Sequence, residues 1–161
     1  MAKSSSSNVF HGTEELVYSG KISVPYTWSV GETGSRFFLE IRDNKKIFGT
    51  HCPMCNRTFV PPRKVCPRCF EKGMEWRELG DEGILMTYTI PHYHEDIHPM
   101  NDLFAFGIIK LDGADTGFTH LLGEFQRGEL RTGLRVRAVF RDQRKGNILD
   151  IKYFKPIKQQ N

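Results

Sequence analysis

Four cysteines carry the strongest chemical pattern in the chain. They form two C-x-x-C units, Cys52-Pro53-Met54-Cys55 and Cys66-Pro67-Arg68-Cys69, with ten residues between them. A tetrahedral zinc ion takes four thiolates at about 2.3 Å, and each C-x-x-C turn presents two of them from one knuckle whose backbone N–H groups point at sulfur. Two knuckles opposed across a hairpin close the shell. Such a site is structural: it has no open position for a reacting water, and it consumes every thiol, so none remains for covalent catalysis. Iron in the same cage and a pair of disulfides are the alternatives. No charged-then-apolar leader opens the sequence, which favours a reducing compartment where thiols persist. Asn56 directly follows the first pair, where a left-handed backbone position suits asparagine better than most residues. Residues 47–79 hold too few large apolar side chains for a core of their own, so about 10 kcal/mol or more of metal binding is expected to act as folding energy.

Three further groups have residue types that could do chemistry. His92, His94 and His98, with Glu95 and Asp96 between them, read as a second metal site, as a loop lining a partner's substrate entrance, or as a solvated hairpin loop ending at Pro99. The run from Leu134 to Arg141 alternates, placing Leu134, Val136, Ala138 and Phe140 on one face and Arg135, Arg137 and Arg141 on the other. Arginine forks match phosphate oxygens, so Arg135 and Arg137 are candidate contacts for the phosphates of coenzyme A; a solvated exterior is the plainer reading. Arg57, Arg63, Lys64 and Arg68 form a second basic group within the cysteine region, and Arg63 joins the candidate coenzyme-binding residues.

Other chemistries are excluded. No serine follows Ser35, and the chain contains no G-x-S-x-G elbow, no G-x-x-x-x-G-K phosphate loop and no G-x-G-x-x-G turn. The 161 residues, 39% hydrophobic and 26% charged, suit one or two small domains. The formal charge of +4 falls by two when four thiolates hold a divalent ion, which argues against a dedicated nucleic-acid binder. Apolar runs are far shorter than the roughly 20 residues a membrane helix needs, so no membrane association is expected and the location is read as cytoplasmic.

The elements that must position these residues divide the chain into four parts. Residues 1–12, with Ser4 to Ser7, read as a disordered tail. Residues 13–46 read as an arm and a short helix. The arm, Val17 to Val30, mixes Tyr18, Ile22, Val24, Tyr26 and Trp28 with Pro25, and must lie on its own domain or on a partner. The helix is expected from Gly34 to Lys46, capped by Ser35, with Phe38 and Ile41 on its apolar side. Residues 47–79 form the cysteine-bearing ribbon, from a strand at Lys46 to Thr50 to one at Met74 to Leu79. Residues 80–161 hold five short strands, Gly83 to Tyr93, Leu103 to Leu111, Thr116 to Leu122, Leu134 to Arg141 and Asn147 to Phe154, which favour a small closed barrel. Ile84, Met86, Tyr88 and Ile90 share one face of the first. One helical turn is expected around Glu124 to Leu130.

The run Cys-Pro-Met-Cys-Asn-Arg-Thr-Phe-Val-Pro-Pro-Arg-Lys-Val-Cys-Pro-Arg-Cys, Cys52 to Cys69, lies between the helix carrying Phe37 and Phe38 and the strand Gly83 to Ile90. Together these resemble the acyl-CoA-associated zinc-ribbon/OB-fold proteins, over about Arg36 to Phe154. Pro61-Pro62-Arg63 sits between the knuckles as that family has it; Asn56 replaces its usual glycine. The resemblance implies a mainly β chain: an N-terminal arm and short helix, a rubredoxin-like zinc ribbon, and a C-terminal five-stranded OB-fold barrel. It further implies one structural zinc on Cys52, Cys55, Cys66 and Cys69, and a non-catalytic subunit docked on a thiolase-like catalytic partner. Trp28, Tyr26, Phe37 and Phe38 are the expected anchors. The complex would bind an acyl-CoA and cleave a β-oxoacyl-CoA such as benzoylsuccinyl-CoA in aromatic degradation. A stand-alone acyl-CoA-binding module and a nucleic-acid-binding zinc-ribbon/OB protein are the competing readings.

Overall fold

A computed structural model describes residues 14, 16–20, 22–92, 100 and 103–158. One helix, α1 (Gly31–Asn44), precedes eight strands: β1 (Ile47–Cys52), β2 (Arg57–Phe59), β3 (Glu75–Leu79), β4 (Glu82–Thr89), β5 (Ala105–Leu111), β6 (Phe118–Leu122), β7 (Arg135–Phe140) and β8 (Ile151–Pro156). The first three make an antiparallel sheet in the order β2-β1-β3, and the last five close into a barrel in the order β4-β5-β6-β8-β7. The barrel is antiparallel except for the single parallel contact of β6 with β8. The chain is mainly β, with a ribbon followed by a five-stranded barrel, as the sequence suggested.

Alternation builds the barrel. In β5, Ala105, Gly107, Ile109 and Leu111 face inward, while Phe106, Ile108 and Lys110 face out. Inside, Leu85, Ile109, Phe118, Leu122, Val136, Ile151 and Phe154 are all at most 1% exposed. α1 closes over this core with Phe37 and Ile41, and the Phe37 ring meets Phe118 edge-on at 6.5 Å. Ile47, Val60 and Leu79 bring the ribbon sheet into the same cluster. The ribbon is also tied down through its backbone: Thr58 N–H donates to the Asp115 carboxylate at 2.8 Å, and Val60 N–H to the Thr116 hydroxyl at 2.9 Å.

Several local expectations shift. α1 starts at Gly31, three residues early, so Ser35 lies inside it; Val30 occupies the cap position and supplies no side-chain cap. Its end is a left-handed Lys45 at φ 54°, whose N–H returns to Glu40 O. Ile84, Met86 and Tyr88 of β4 share one face as expected, and it is the outer one, 36–48% exposed, while Gly83 and Leu85 face the core; Ile90, expected on the same face, is half-buried against the core instead. Amphipathic alternation in β4 therefore marks an exterior apolar face. Residues 124–130 form a turn, not a helical turn, with Glu124 at φ 52° and Gly128 at φ 85° taking it out of helical geometry. Residues 148–150 form a 3-10 helix before β8, where an extended run from Asn147 was expected. β2, three residues between the cysteine pairs, is too short to leave a periodic pattern.

Candidate metal centre and adjoining surfaces

The knuckles sit at the ends of local turns that the sequence encodes. Cys52 ends β1, and Cys55 N–H points at Cys52 Sγ at 3.4 Å. Asn56 follows at φ 50°, the left-handed position expected of it, and Phe70 repeats that conformation at φ 59° after the second pair. The second knuckle is closed by Phe70 N–H donating to Cys66 O at 3.0 Å and Cys66 N–H to Glu71 O at 2.9 Å.

These turns bring the four sulfurs within 4.8 Å of one another, with Cys52 Sγ 3.5 Å from Cys69 Sγ and Cys66 Sγ 3.9 Å from Cys55 Sγ. A tetrahedron with bonds of about 2.3 Å has edges of about 3.8 Å, which these separations bracket. Disulfide sulfurs lie about 2.05 Å apart, and all four thiols are free. Burial is graded, with Cys52 and Cys66 enclosed, Cys55 half-buried and Cys69 exposed. Without a cation the cluster distributes protons unevenly. Hydrogen bonding to the Cys69 thiol, followed by burial, pushes Cys55 up to about 12. Burial also acts to raise Cys66, but the N–H groups of Cys69 and Arg68 outweigh it and bring that thiol down to about 6. A divalent ion resolves the crowding by stabilising all four thiolates at once. The residues thus fit zinc, held by Cys52, Cys55, Cys66 and Cys69 in a closed shell whose chemistry is structural.

Around this centre the apolar support is slight. Among the described residues, Phe59 is the one buried apolar side chain that joins Cys52 and Cys66, with Met74 half-buried against them. His51, 5% exposed, pairs across the sheet with Thr58, its Nδ1 3.2 Å from the hydroxyl oxygen.

The candidate arginines fall in two places. Arg135 and Arg137 lie on the barrel around Glu82. Arg135 bridges Glu82 at 2.8 Å and Asp112 at 2.7 Å, and Arg137 holds the other Glu82 oxygen. Hydrogen bonding to Arg137 and Arg135 holds the Glu82 carboxyl below the usual carboxylate range, and Arg135 does the same for Asp112. Arg63 is on the ribbon, at the mouth of a cavity of about 250 Å³ between α1 and the sheet, together with Lys64, Arg36, Lys72 and Trp76. Arg36 is distant in sequence from that basic run and Lys72 lies just past its end, and the sequence reading included neither.

His92 is exposed; His94 and His98 lie outside the described residues, so their loop stays a sequence-level expectation. Of the expected anchors, Trp28 and Tyr26 are 71% and 76% exposed. Phe37 is 2% exposed, its ring engaged by the chain's own core, and Phe38 is half-buried against that core. Among the described residues no helix is long and apolar enough to cross a membrane.

Residues 40–75 match the family model for the rubredoxin-like zinc ribbon domain of ChsH2, and residues 76–141 match that for the ChsH2 C-terminal OB-fold domain. Among solved structures, a chain of the Ltp2-ChsH2(DUF35) aldolase is similar at 15% identity and TM-score 0.61, over 81% of this chain and 98% of that one. A DUF35-family protein of unknown function from Sulfolobus solfataricus is 27% identical, with TM-score 0.55 over 68% of this chain and 78% of its own.

Proposed function

The chain belongs to the ChsH2/DUF35 family of zinc-ribbon/OB-fold proteins, and from that premise we propose that it is the non-catalytic, zinc-containing subunit of a thiolase-like enzyme. The observation that carries this reading is the arm. Leu16, Val17, Tyr18, Ile22, Val24, Tyr26 and Trp28 are 67–92% exposed, in an extended segment with no secondary structure. A water-soluble chain gains nothing by displaying that many large apolar side chains in sequence, whereas a partner's surface would bury them. The outward face of β4 and β5, with Ile84, Met86, Tyr88, Phe106 and Ile108 each 36–48% exposed, offers a second apolar surface. The sulfur centre supports a non-catalytic role, since its ligands are all engaged. The similar aldolase is named for two components, Ltp2 and ChsH2, which supports a catalytic companion here.

In this reading the complex binds an acyl-CoA and breaks a carbon–carbon bond of a β-oxoacyl-CoA, benzoylsuccinyl-CoA in aromatic degradation being the substrate proposed. Of Arg63, Arg135 and Arg137, proposed as coenzyme contacts, Arg63 has its guanidinium free of carboxylates among the described residues. The test is co-expression with a thiolase-type catalytic subunit, followed by gel filtration with light scattering. A stoichiometric complex is expected, and Tyr18→Ser, Tyr26→Ser and Trp28→Ser together should dissolve it while zinc content is unchanged. A monomer at every concentration, or a complex indifferent to those substitutions, refutes the docking role.

A further inference from the structure

The cavity between α1 and the ribbon gathers four cations from three separate stretches of chain. Arg36 comes from the second turn of α1, Arg63 and Lys64 from the link between the knuckles, and Lys72 from the approach to β3. Their one carboxylate neighbour in the lining is Glu32. It stands 3.6 Å from Lys64, with both side chains largely in water, where such a pair is weak. Arg36, Arg63 and Lys72 have no ion pair among the described residues. Like charges held together without counter-charges oppose folding, so their convergence calls for a ligand that neutralises them.

The groups are also pre-positioned. The Thr50 hydroxyl, 2% exposed, accepts from Arg63 N–H at 2.7 Å and donates to Arg63 O at 3.0 Å, fixing that residue's backbone to β1. The Arg36 guanidinium lies over Trp76, 4.4 Å from the ring centroid, which holds it while leaving its charge available. On the barrel, by contrast, Arg135 and Arg137 face Glu82 and Asp112, two charges against two.

We propose that this cavity binds the phosphates of a small ligand bearing two or more of them. At about 250 Å³ it is smaller than a pocket for a whole drug-sized molecule, so it would hold the phosphate end and leave the rest outside. The site rests on the acyl-CoA reading above only for the ligand's identity, the nucleotide end of the coenzyme being the source consistent with it. Recognition itself needs only adjacent phosphates.

The test is calorimetry on the zinc-loaded full chain with inorganic pyrophosphate and, separately, ADP, at low salt. Each should bind with a stoichiometry of one. R63Q/K72Q should weaken binding at least tenfold, whereas K110Q/R131Q, which removes the same charge from the exposed barrel, should change it less than twofold. In a W28F background Trp76 is the sole tryptophan, and its emission should respond to pyrophosphate. Should R63Q/K72Q lose zinc or its normal melting temperature, K72Q alone carries the comparison. Silent titrations with both ligands, equal weakening in both double variants, or binding without a Trp76 response overturns the site. R63Q/K72Q should still form the complex with the catalytic subunit, so loss of phosphate binding with an intact complex bears on the cavity alone, and loss of the complex bears on docking alone.

Discussion

Removing the metal should unfold the knuckles and spare the barrel. Among the described residues, the one buried apolar side chain besides cysteine in the cluster around the sulfurs is Phe59, at 6% exposure. Complete burial of a phenylalanine contributes roughly 1.5–3 kcal/mol, whereas structural zinc in small modules contributes about 10–16 kcal/mol at neutral pH. Without zinc, then, most of what orders residues 52–56 and 64–74 is gone. β2 is held independently by Asp115 and Thr116, and Ile47, Val60 and Leu79 belong to the main core, so the loss should stop there. The assay is amide hydrogen exchange by mass spectrometry on zinc-loaded and chelated protein, with metal content measured in parallel. Peptides from 52–56 and 64–74 should go from protected to freely exchanging, while peptides from 105–122 and 135–156 keep their protection. Unchanged exchange in 64–74 after verified zinc loss would refute the claim that metal, not packing, orders the ribbon.

Two further predictions concern the barrel. Gly83 pairs with Leu111 on one side and Val136 on the other, and a Cβ there would stand 2.5 Å from Lys110 O and 2.9 Å from Leu111 Cα. Gly83→Ala should therefore cost about 1–3 kcal/mol in urea denaturation by overpacking, and a neutral result would contradict the register. His120 is buried between Phe118 and Phe154; its Nε2 donates to Ile148 O at 3.1 Å, so the neutral ring leaves Nδ1 as an acceptor with no partner among the described residues. Burial holds its pKa below 6.5, so the unfolded chain takes the proton first as pH falls, and stability present above about 6.5 is lost on acidification. His120→Phe should remove up to about 1.4 kcal/mol per pH unit of that slope, measured as urea midpoints from pH 7 to 5; an identical slope would show that another group causes it.

Much of the architecture was legible because two patterns are local. C-x-x-C knuckles fix ligand geometry within four residues, and period-two alternation marks inward Ala105, Ile109 and Leu111 without reference to the rest of the chain. Where the reading slipped, the deciding force was tertiary. In β4 the shared face of Ile84, Met86 and Tyr88 was legible, but which way it turns was not: the closely packed barrel interior takes Gly83 and Leu85, leaving that row outside, while Ile90, past the strand, turns back against the core. Ser35 looked like a cap, yet Gly31 at φ 70° lets the chain enter α1 one turn earlier. Phe37 looked like an interface anchor, but helix periodicity alone does not tell a partner's surface from the chain's own barrel end. The basic cavity was invisible for a simpler reason: Lys72 and Trp76 meet Arg63 only once the ribbon folds, and Arg36 joins them only when α1 packs on it.

The most direct test measures carbon–carbon cleavage of a β-oxoacyl-CoA by three samples: the zinc-loaded chain, the thiolase-type catalytic subunit, and their reconstituted complex. With a β-oxoacyl-CoA and free coenzyme A, the chain alone should be inert, and the complex should turn over faster than the catalytic subunit by itself. Cleavage by the isolated chain, or a catalytic subunit whose rate and binding are untouched by adding it, would contradict the account.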